Sequence, residues 1–315
     1  MKLLYKTKYE CEVITPMFLR GEDRKNLELR APAIKGALRF WWRALHGYLD
    51  EDELRQRERF LFGGIGEDSR KSTFSIRVKP IKIIKKKFSF LPHKEDYRYK
   101  KNAFLSGTKF EVEFIVNTYI YNEKKRIKGE DVILEIENLF EIVSILGGLG
   151  MRARRGFGSF RIVKKNGGFL NEDFSNIKNI KEKIDAYAKD KYVIKKSINN
   201  LKIIESIETK VNTAIKQIIL SPLYYKDEKV LTYNISNLSH KSRHISYYEG
   251  LNITERQIEN SLGGINLGKK NKERFASPIY ISAIKGKNGL SIVITKLSAE
   301  ASNSIQDKFI SGLLK

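Results

Sequence analysis

The sequence predicts an α+β protein in which antiparallel sheet packs against helices. Three observations predict it. Lys109–Tyr121 alternates strictly, with Phe110, Val112, Phe114 and Val116 set against Lys109, Glu111 and Glu113, the pattern of a half-buried strand. Ala33–Leu49 and Glu130–Leu146 instead repeat their apolar residues at helical spacing. Strand-like segments precede and follow each of these helices, so helix and strand alternate along the chain.

Taken in order, Lys2–Ile14 reads as a strand, with Leu4, Val13 and Ile14 as apolar members and Thr15-Pro16 closing it. A polar loop, Arg20–Arg30, holds Glu22, Asp23, Arg24 and Lys25. Pro32 suits the first turn of the helix that follows. On that helix Ile34, Ala37, Leu38, Trp41, Leu45, Tyr48 and Leu49 share one broad side; Lys35, Arg39, Trp42, Arg43 and His46 share the other. Glu51–Leu61 is a short charged helix ended by Phe62-Gly63-Gly64, and Ser72–Ile84 is a second strand. Lys85-Lys86-Lys87 and His93–Asn102 form a basic excursion, expected as a protruding hairpin. Lys109–Tyr121 is the third strand, Glu130–Leu146 the second long helix and Phe157–Val163 the fourth strand. This order, β-α-β-β-α-β, is the ferredoxin-like arrangement.

Lys164–Asn171 reads as a linker, dividing the chain into domains at 1–165 and 172–315. The second half is expected to be a less regular ferredoxin-like α+β domain. Glu172–Lys191 looks helical and Lys195–Lys216 is only weakly periodic. Ile218–Tyr225, Lys229–Asn234, Phe275–Ile284 and Leu290–Thr295 read as strands, and Glu255–Leu262 and Ala299–Leu314 as helices. Gly263–Arg274 is a second glycine- and lysine-bearing loop.

Charge narrows the function. The 315 residues carry 60 Lys and Arg against 37 Asp and Glu, a net charge of +23. So large an excess costs self-repulsion and points to a polyanionic partner. No run approaches the roughly 20 apolar residues needed to span a bilayer. The N-terminus alternates like a strand and lacks the continuous apolar core of a signal peptide, so a cytoplasmic location is expected. Cys11 is the only cysteine, which excludes a disulfide framework and a Cys-based zinc site.

Between the second long helix and the fourth strand lies Gly147–Phe160, which sets five glycines around Arg152, Arg154 and Arg155. It is not a Walker A loop: five residues, not four, separate Gly150 from Gly156, and Phe157 follows. Nor is it a dinucleotide fingerprint, because Ala153 falls where the last glycine belongs. The expectation is a tight turn that brings backbone and arginines to a nucleic acid. The candidate nucleic-acid contacts are Arg20, Lys35, Arg39, Trp42, Arg43 and His46 with Gly148, Gly150, Arg152, Arg154, Arg155 and Gly156. The cations would hold phosphates and the indole would stack a base.

The pairing of APAIKGALRFWWRAL with GGLGMRARRGFGSF resembles the RAMP superfamily of CRISPR systems. Lys35, Gly36 and Arg39 match the family's Lys-Gly-x-x-Arg helix opening, and Gly147–Phe160 its glycine-rich loop. Trp41-Trp42, Phe62-Gly63-Gly64 and Arg274-Phe275-Ala276-Ser277-Pro278-Ile279 look most like a RAMP subunit of the type III-B (Cmr) RNA-silencing complex. The resemblance implies two ferredoxin-like, RRM-related domains and a binding subunit contacting guide and target RNA near the guide 3′ end. It implies other Cmr RAMP subunits as partners, and no cofactor or metal.

Catalysis is weighed against binding. His46 is a candidate general base on a ribose hydroxyl, and some guide-processing RAMP relatives use a histidine that way. Glu22 and Asp23 are candidates for metal-dependent cleavage, since an acidic residue in the matching loop serves it in the backbone RAMP subunit. His240 and His244 are four residues apart, and Tyr247-Tyr248 are candidate stacking residues. The reading favoured is a non-catalytic RNA-binding subunit; the alternative is a RAMP-type endoribonuclease.

Overall fold

The computed structural model describes residues 4–315 except 24–25, 66–68, 95–96, 123–124, 171–172, 189–190, 198–200, 212–213, 243–245, 247–276, 287 and 299–302. In chain order the first half contains β1 (Leu4–Val13), α1 (Ala31–Leu45), α2 (Glu51–Phe62), β2 (Phe74–Lys82), β3 (Lys85–Ser89), β4 (Lys100–Phe104), β5 (Lys109–Asn117), β6 (Tyr119–Asn122) and β7 (Lys125–Lys128). It is completed by α3 (Gly129–Leu146), β8 (Phe160–Lys165) and β9 (Gly168–Phe169). The second half contains α4 (Ile177–Tyr187), β10 (Tyr192–Ser197), β11 (Leu201–Ser206), β12 (Ile215–Leu220), α5 (Glu228–Lys241), β13 (Ile279–Gly286), β14 (Gly289–Leu297) and α6 (Asn303–Leu313).

The first sheet runs β2-β5-β1-β8-β9, every neighbour antiparallel. Its inner face is set by alternation: Tyr9, Cys11 and Val13 of β1 are buried beside Phe110, Val112 and Phe114 of β5. Its outer face carries charges of both signs. Glu10 meets Lys164 and Lys109, Glu12 meets Arg161, and Glu113 meets Lys8 and Arg77. That face is an ion-pair lattice, not a row of aromatic rings.

The second sheet runs β13-β14-β12-β11-β10. Its order repeats that of the first with one change. The hairpin at the far edge, β10–β11, precedes the central strand, whereas β8–β9 comes last in its sheet. Both faces of this sheet are covered. Ile204, Ile218, Tyr280, Ile284 and Val293 join the core built on α1 and α3. Ile203, Ile219, Ile281, Ile292 and Ile294 face Leu231 and Ile235 of α5 and Ile305, Phe309 and Ile310 of α6. Strands buried on both sides lose the alternating pattern, which is why β13 and β14 read as continuous apolar runs. Helix α3 touches both sheets and is buried without a break from Leu139 to Leu146, where its two polar side chains are satisfied, Glu141 by Lys165 and Lys183 and Ser144 by Glu141 O.

Three sequence expectations change. Lys229–Asn234 is not a strand but lies in α5. Asp227 caps that helix by accepting from the amides of Lys229 and Val230, and Leu231 and Ile235 are one helical turn apart in the core. Lys164–Asn171 is not an open linker over its described residues. Asn166-Gly167, both with positive φ (50° and 88°), turn β8 back into β9. Helix α1 begins at Ala31 and stops at Leu45, with His46 as its C-cap. Glu255–Leu262, Gly263–Arg274, Arg243, His244 and Tyr247-Tyr248 lie outside the described residues.

Candidate nucleic-acid interface

The glycine loop is a joint between the two halves. It folds on itself through Leu149 N–H to Gly158 O (2.9 Å). It ties to the segment after β1 through Gly158 N–H to Pro16 O (3.0 Å) and Met151 N–H to Phe18 O (3.0 Å). It reaches the second sheet through Gly156 N–H to Ile281 O (2.9 Å). The loop's glycines are required by space or by backbone angle. A Cβ on Gly158 would sit 2.0 Å from Leu149 O and one on Gly150 2.5 Å from Phe18 O, while Gly156 has φ 77° and faces Ile235 of α5.

The arginines follow the backbone. Arg155, 8% exposed, donates to Ser277 Oγ (2.9 Å) and Ile279 O (3.2 Å). Arg154 donates to Ser277 O, and its guanidinium lies 4.9 Å from the Phe40 ring of α1. Burial lowers the Arg154 pKa. These two cations fasten the start of β13 to the loop. Read from sequence as phosphate contacts, they are instead occupied by carbonyls of the other half. Arg152, half-buried and left-handed (φ 60°), lies 5.8 Å from the Phe157 ring. Gly150 and Met151 are the exposed tip, and Gly148 is buried beneath with its carbonyl accepting from Tyr280 Oη (3.3 Å).

The second predicted group, on α1, does share one side of the helix, but α2 covers much of it. Arg39 Nε donates to Glu58 Oε1 (2.5 Å), and Arg43 to the other oxygen of the same carboxylate. Glu58 is buried, whereas the two arginine side chains remain 41% and 38% exposed. Two guanidinium groups on one carboxylate leave a net positive charge facing outward. Lys35 is half-buried beside the Phe74 ring (5.8 Å), and desolvation lowers its pKa.

Trp42 and His46 correct the sequence reading. Trp42 is 1% exposed and donates its indole N–H to Glu135 Oε1 (2.9 Å), so it is a core residue and not a stacking platform. Glu135 itself is held above the usual carboxylate range by burial. His46 stacks on Trp42 with ring centroids 4.3 Å apart, and its Nδ1 lies 2.8 Å from Trp42 O. Burial pushes its pKa down to about 4. It is a neutral imidazole in the interior, not a base at the surface.

Arg20 pairs with Leu27 across the loop after β1 and is half-buried. Asp23 of the same loop accepts from the backbone N–H (3.0 Å) and side-chain amide (2.6 Å) of Asn26, which ties its carboxylate to the turn. Among the described residues no cluster of His, Cys, Asp and Glu could hold a metal ion. His240 stacks on His93 of the β3–β4 excursion at 4.7 Å.

The open basic surface lies elsewhere, on β2, β3 and the turn between them. From Ser69 to Lys94 the sequence contains no acidic residue. Lys79, Lys82, Lys85, Lys86 and Lys87 are all exposed. Their neighbours Ile81 and Ile83 are 53% and 41% exposed. Sequence reading saw the three lysines as part of a hairpin, which the β3–β4 pair is, but did not count them as a site. The signal was the absence of acidic residues over this span, although in the fold Glu111 lies across from Lys79 and Glu28 borders the cavity that Lys85 and Lys86 line.

Comparison with known proteins places the chain. The RAMP superfamily model matches residues 10–161. The chain is 30% identical over 196 residues to the CRISPR system Cmr subunit Cmr1-1 of Pyrococcus furiosus, covering 56% of this chain and 54% of that protein. The chain is therefore similar to RAMP proteins over residues 10–161 and to Cmr1 subunits over about half its length. It thus spans about half the length of that relative. It is also 26% identical over 190 residues to Cmr1-2 of the same organism, covering 50% of this chain and 96% of that one. Among solved structures, apo Cmr1 from Pyrococcus furiosus superposes with a TM-score of 0.60 at 20% identity, over 98% of this chain and 96% of that one. A chain of the type III-B Cmr-beta complex bound to cognate target RNA superposes with a TM-score of 0.61 at 13% identity, over 99% of both chains. These structural likenesses show that the fold is shared along the whole length of the chain.

Proposed function

We propose that this protein is an RNA-binding subunit of a type III-B CRISPR (Cmr) effector complex, with no catalytic role of its own. It serves RNA-guided antiviral defence in the cytoplasm by contacting guide RNA and target RNA near the guide 3′ end, alongside other Cmr RAMP subunits. In this reading its halves, 1–165 and 172–315, are two ferredoxin-like domains, the second with its edge hairpin moved to the front. The observation that carries the RNA assignment is the cluster of exposed lysines on β2, β3 and the turn between them, for none of which an ion pair is found among the described residues, because such cations can neutralise phosphates. The outward edges of Arg39 and Arg43 add to it. The sheet that stacks bases in RRM domains is occupied by ion pairs, which favours a surface made of lysines and loops. The binding reading is preferred over the nuclease because His46 is neutral and buried, and Asp23 is tied to its own turn. No described helix is long and apolar enough to cross a membrane.

The test is fluorescence anisotropy of labelled single-stranded RNA across a salt series, with and without Mg²⁺ or Mn²⁺, with the product run on a denaturing gel. Affinity is expected to fall steeply with salt, with a slope of about 0.7 per phosphate contact. Lys79→Glu with Lys82→Glu and Lys87→Glu is expected to weaken binding at least about tenfold at low salt. Metal-dependent cleavage that disappears in Asp23→Ala, or cleavage lost in His46→Ala, would refute the binding-subunit reading.

A further inference from the structure

Beside the lysine face is a cavity of about 660 Å³, bounded by residues 26–29 of the loop after β1 and by the β3–β4 hairpin. Its volume falls within the roughly 300–1,000 Å³ typical of small-ligand sites. Leu27, Leu29, Ile83 and Phe104 supply apolar walls. Asn102 brings a side-chain amide, with donors and an acceptor, and Asn26 a second one, of which one N–H is already donated to Asp23 (2.6 Å). Lys85 and Lys86 line the same cavity, and both are exposed.

The walls are fixed by main-chain bonds. Met17 and Phe104 exchange both of theirs (2.8 and 3.0 Å), and Gly21 N–H donates to Asn26 O (2.9 Å). The turn from β2 to β3 is held by Thr108, whose Oγ1 accepts from Ile84 N–H (3.1 Å) and donates to Ile84 O (3.0 Å). The site is therefore preformed.

We infer that this cavity takes one unstacked nucleobase of bound single-stranded RNA, with the flanking phosphates on Lys85 and Lys86; the inference rests on the RNA reading above. Apolar walls suit the faces of a base, and the paired amides suit its edge. A lone carboxylate, Glu28, also lines the cavity. It repels phosphate from its own side and accepts from an exocyclic amino group, which adenine, cytosine and guanine carry and uracil lacks. The lysines therefore set the strand's path, and the cavity sets which base enters.

The test compares two probes by anisotropy: a short fluorescein-labelled single-stranded RNA of mixed sequence, and the same ribose-phosphate strand made abasic. Wild-type protein is expected to prefer the base-bearing strand on the order of tenfold, the usual worth of stacking one base. Asn102→Arg adds a cation while filling the cavity. It is expected to tighten the abasic strand and to erase most of the preference. Lys85→Ala with Lys86→Ala is expected to weaken both strands and reduce the salt slope by about 1.4. An Asn102→Arg protein that keeps the wild-type preference overturns the base pocket and leaves the RNA reading standing. Wild-type protein that binds neither strand overturns the RNA reading and the pocket with it.

Discussion

Arg155→Ala separates the two roles the glycine loop can have. If Arg155 held phosphate, its removal would weaken RNA binding and leave stability alone. In the structure it is 8% exposed and donates to Ser277 Oγ, Ile279 O and Arg154 O. Two of those acceptors belong to the other half of the molecule. Hydrogen bonds from a charged donor contribute about 1.5–3 kcal/mol each. Ile279 O keeps a second donor, Ser277 Oγ at 3.0 Å, so its loss is only partial. A net destabilisation of about 3 kcal/mol follows, a large share of the roughly 5–15 kcal/mol of a typical domain. The assay is urea unfolding followed by tryptophan fluorescence, with RNA anisotropy at low salt on the same preparation. The urea midpoint should fall while RNA affinity of the folded protein stays within about twofold, too small a change for a lost phosphate contact. Arg155→Lys should recover only part of the loss: the three bonds leave a single nitrogen, Nη1, but the lysine side chain is shorter. An unchanged midpoint with a tenfold or greater loss of RNA affinity would refute the clamp.

Three further outcomes are expected. His46 has a folded pKa of about 4 against 6.5 unfolded. The unfolded chain therefore binds the extra proton, and the stability this residue contributes is present above pH 6.5 and lost as pH falls toward 4, up to about 3 kcal/mol. His46→Gln should flatten that acid limb in urea midpoints measured from pH 7 to 4, and an unchanged limb would refute the buried neutral imidazole. Glu58→Gln removes the charge shared by Arg39 and Arg43, whose outer edges are solvated, so stability should fall by only about 1 kcal/mol by urea unfolding. The same change should tighten RNA at low salt and not at high salt, since it unmasks one positive charge. Gly156→Ala forces a side chain into φ 77° against Ile235, and thermal unfolding should show a loss of at least about 1–2 kcal/mol.

Much of the fold was legible because local patterns suffice for it. The apolar spacing of α1 and α3 and the alternation of β5 are properties of neighbouring residues. The strand at Lys229–Asn234 was misread because its alternating and helical patterns overlap over six residues, and Asp227, just outside them, decides for the helix. The doubly buried second sheet hid its faces, since its central polar residues, such as Ser282, Ser291 and Thr295, are buried too and mark no solvent side.

By itself the sequence determined the α+β class, the order of the first four strands, the family motifs and the charge that implies a polyanion. It could not determine which cations are free. Glu58 occupies Arg39 and Arg43 from 19 and 15 residues away. Ser277 occupies Arg154 and Arg155 from 123 and 122 residues away. Whether an arginine meets a carbonyl, a carboxylate or water is decided by partners that only folding brings near. The lysines of β2 and β3 remained open for the converse reason: no acidic residue lies near them in sequence, and the tertiary fold leaves them facing solvent.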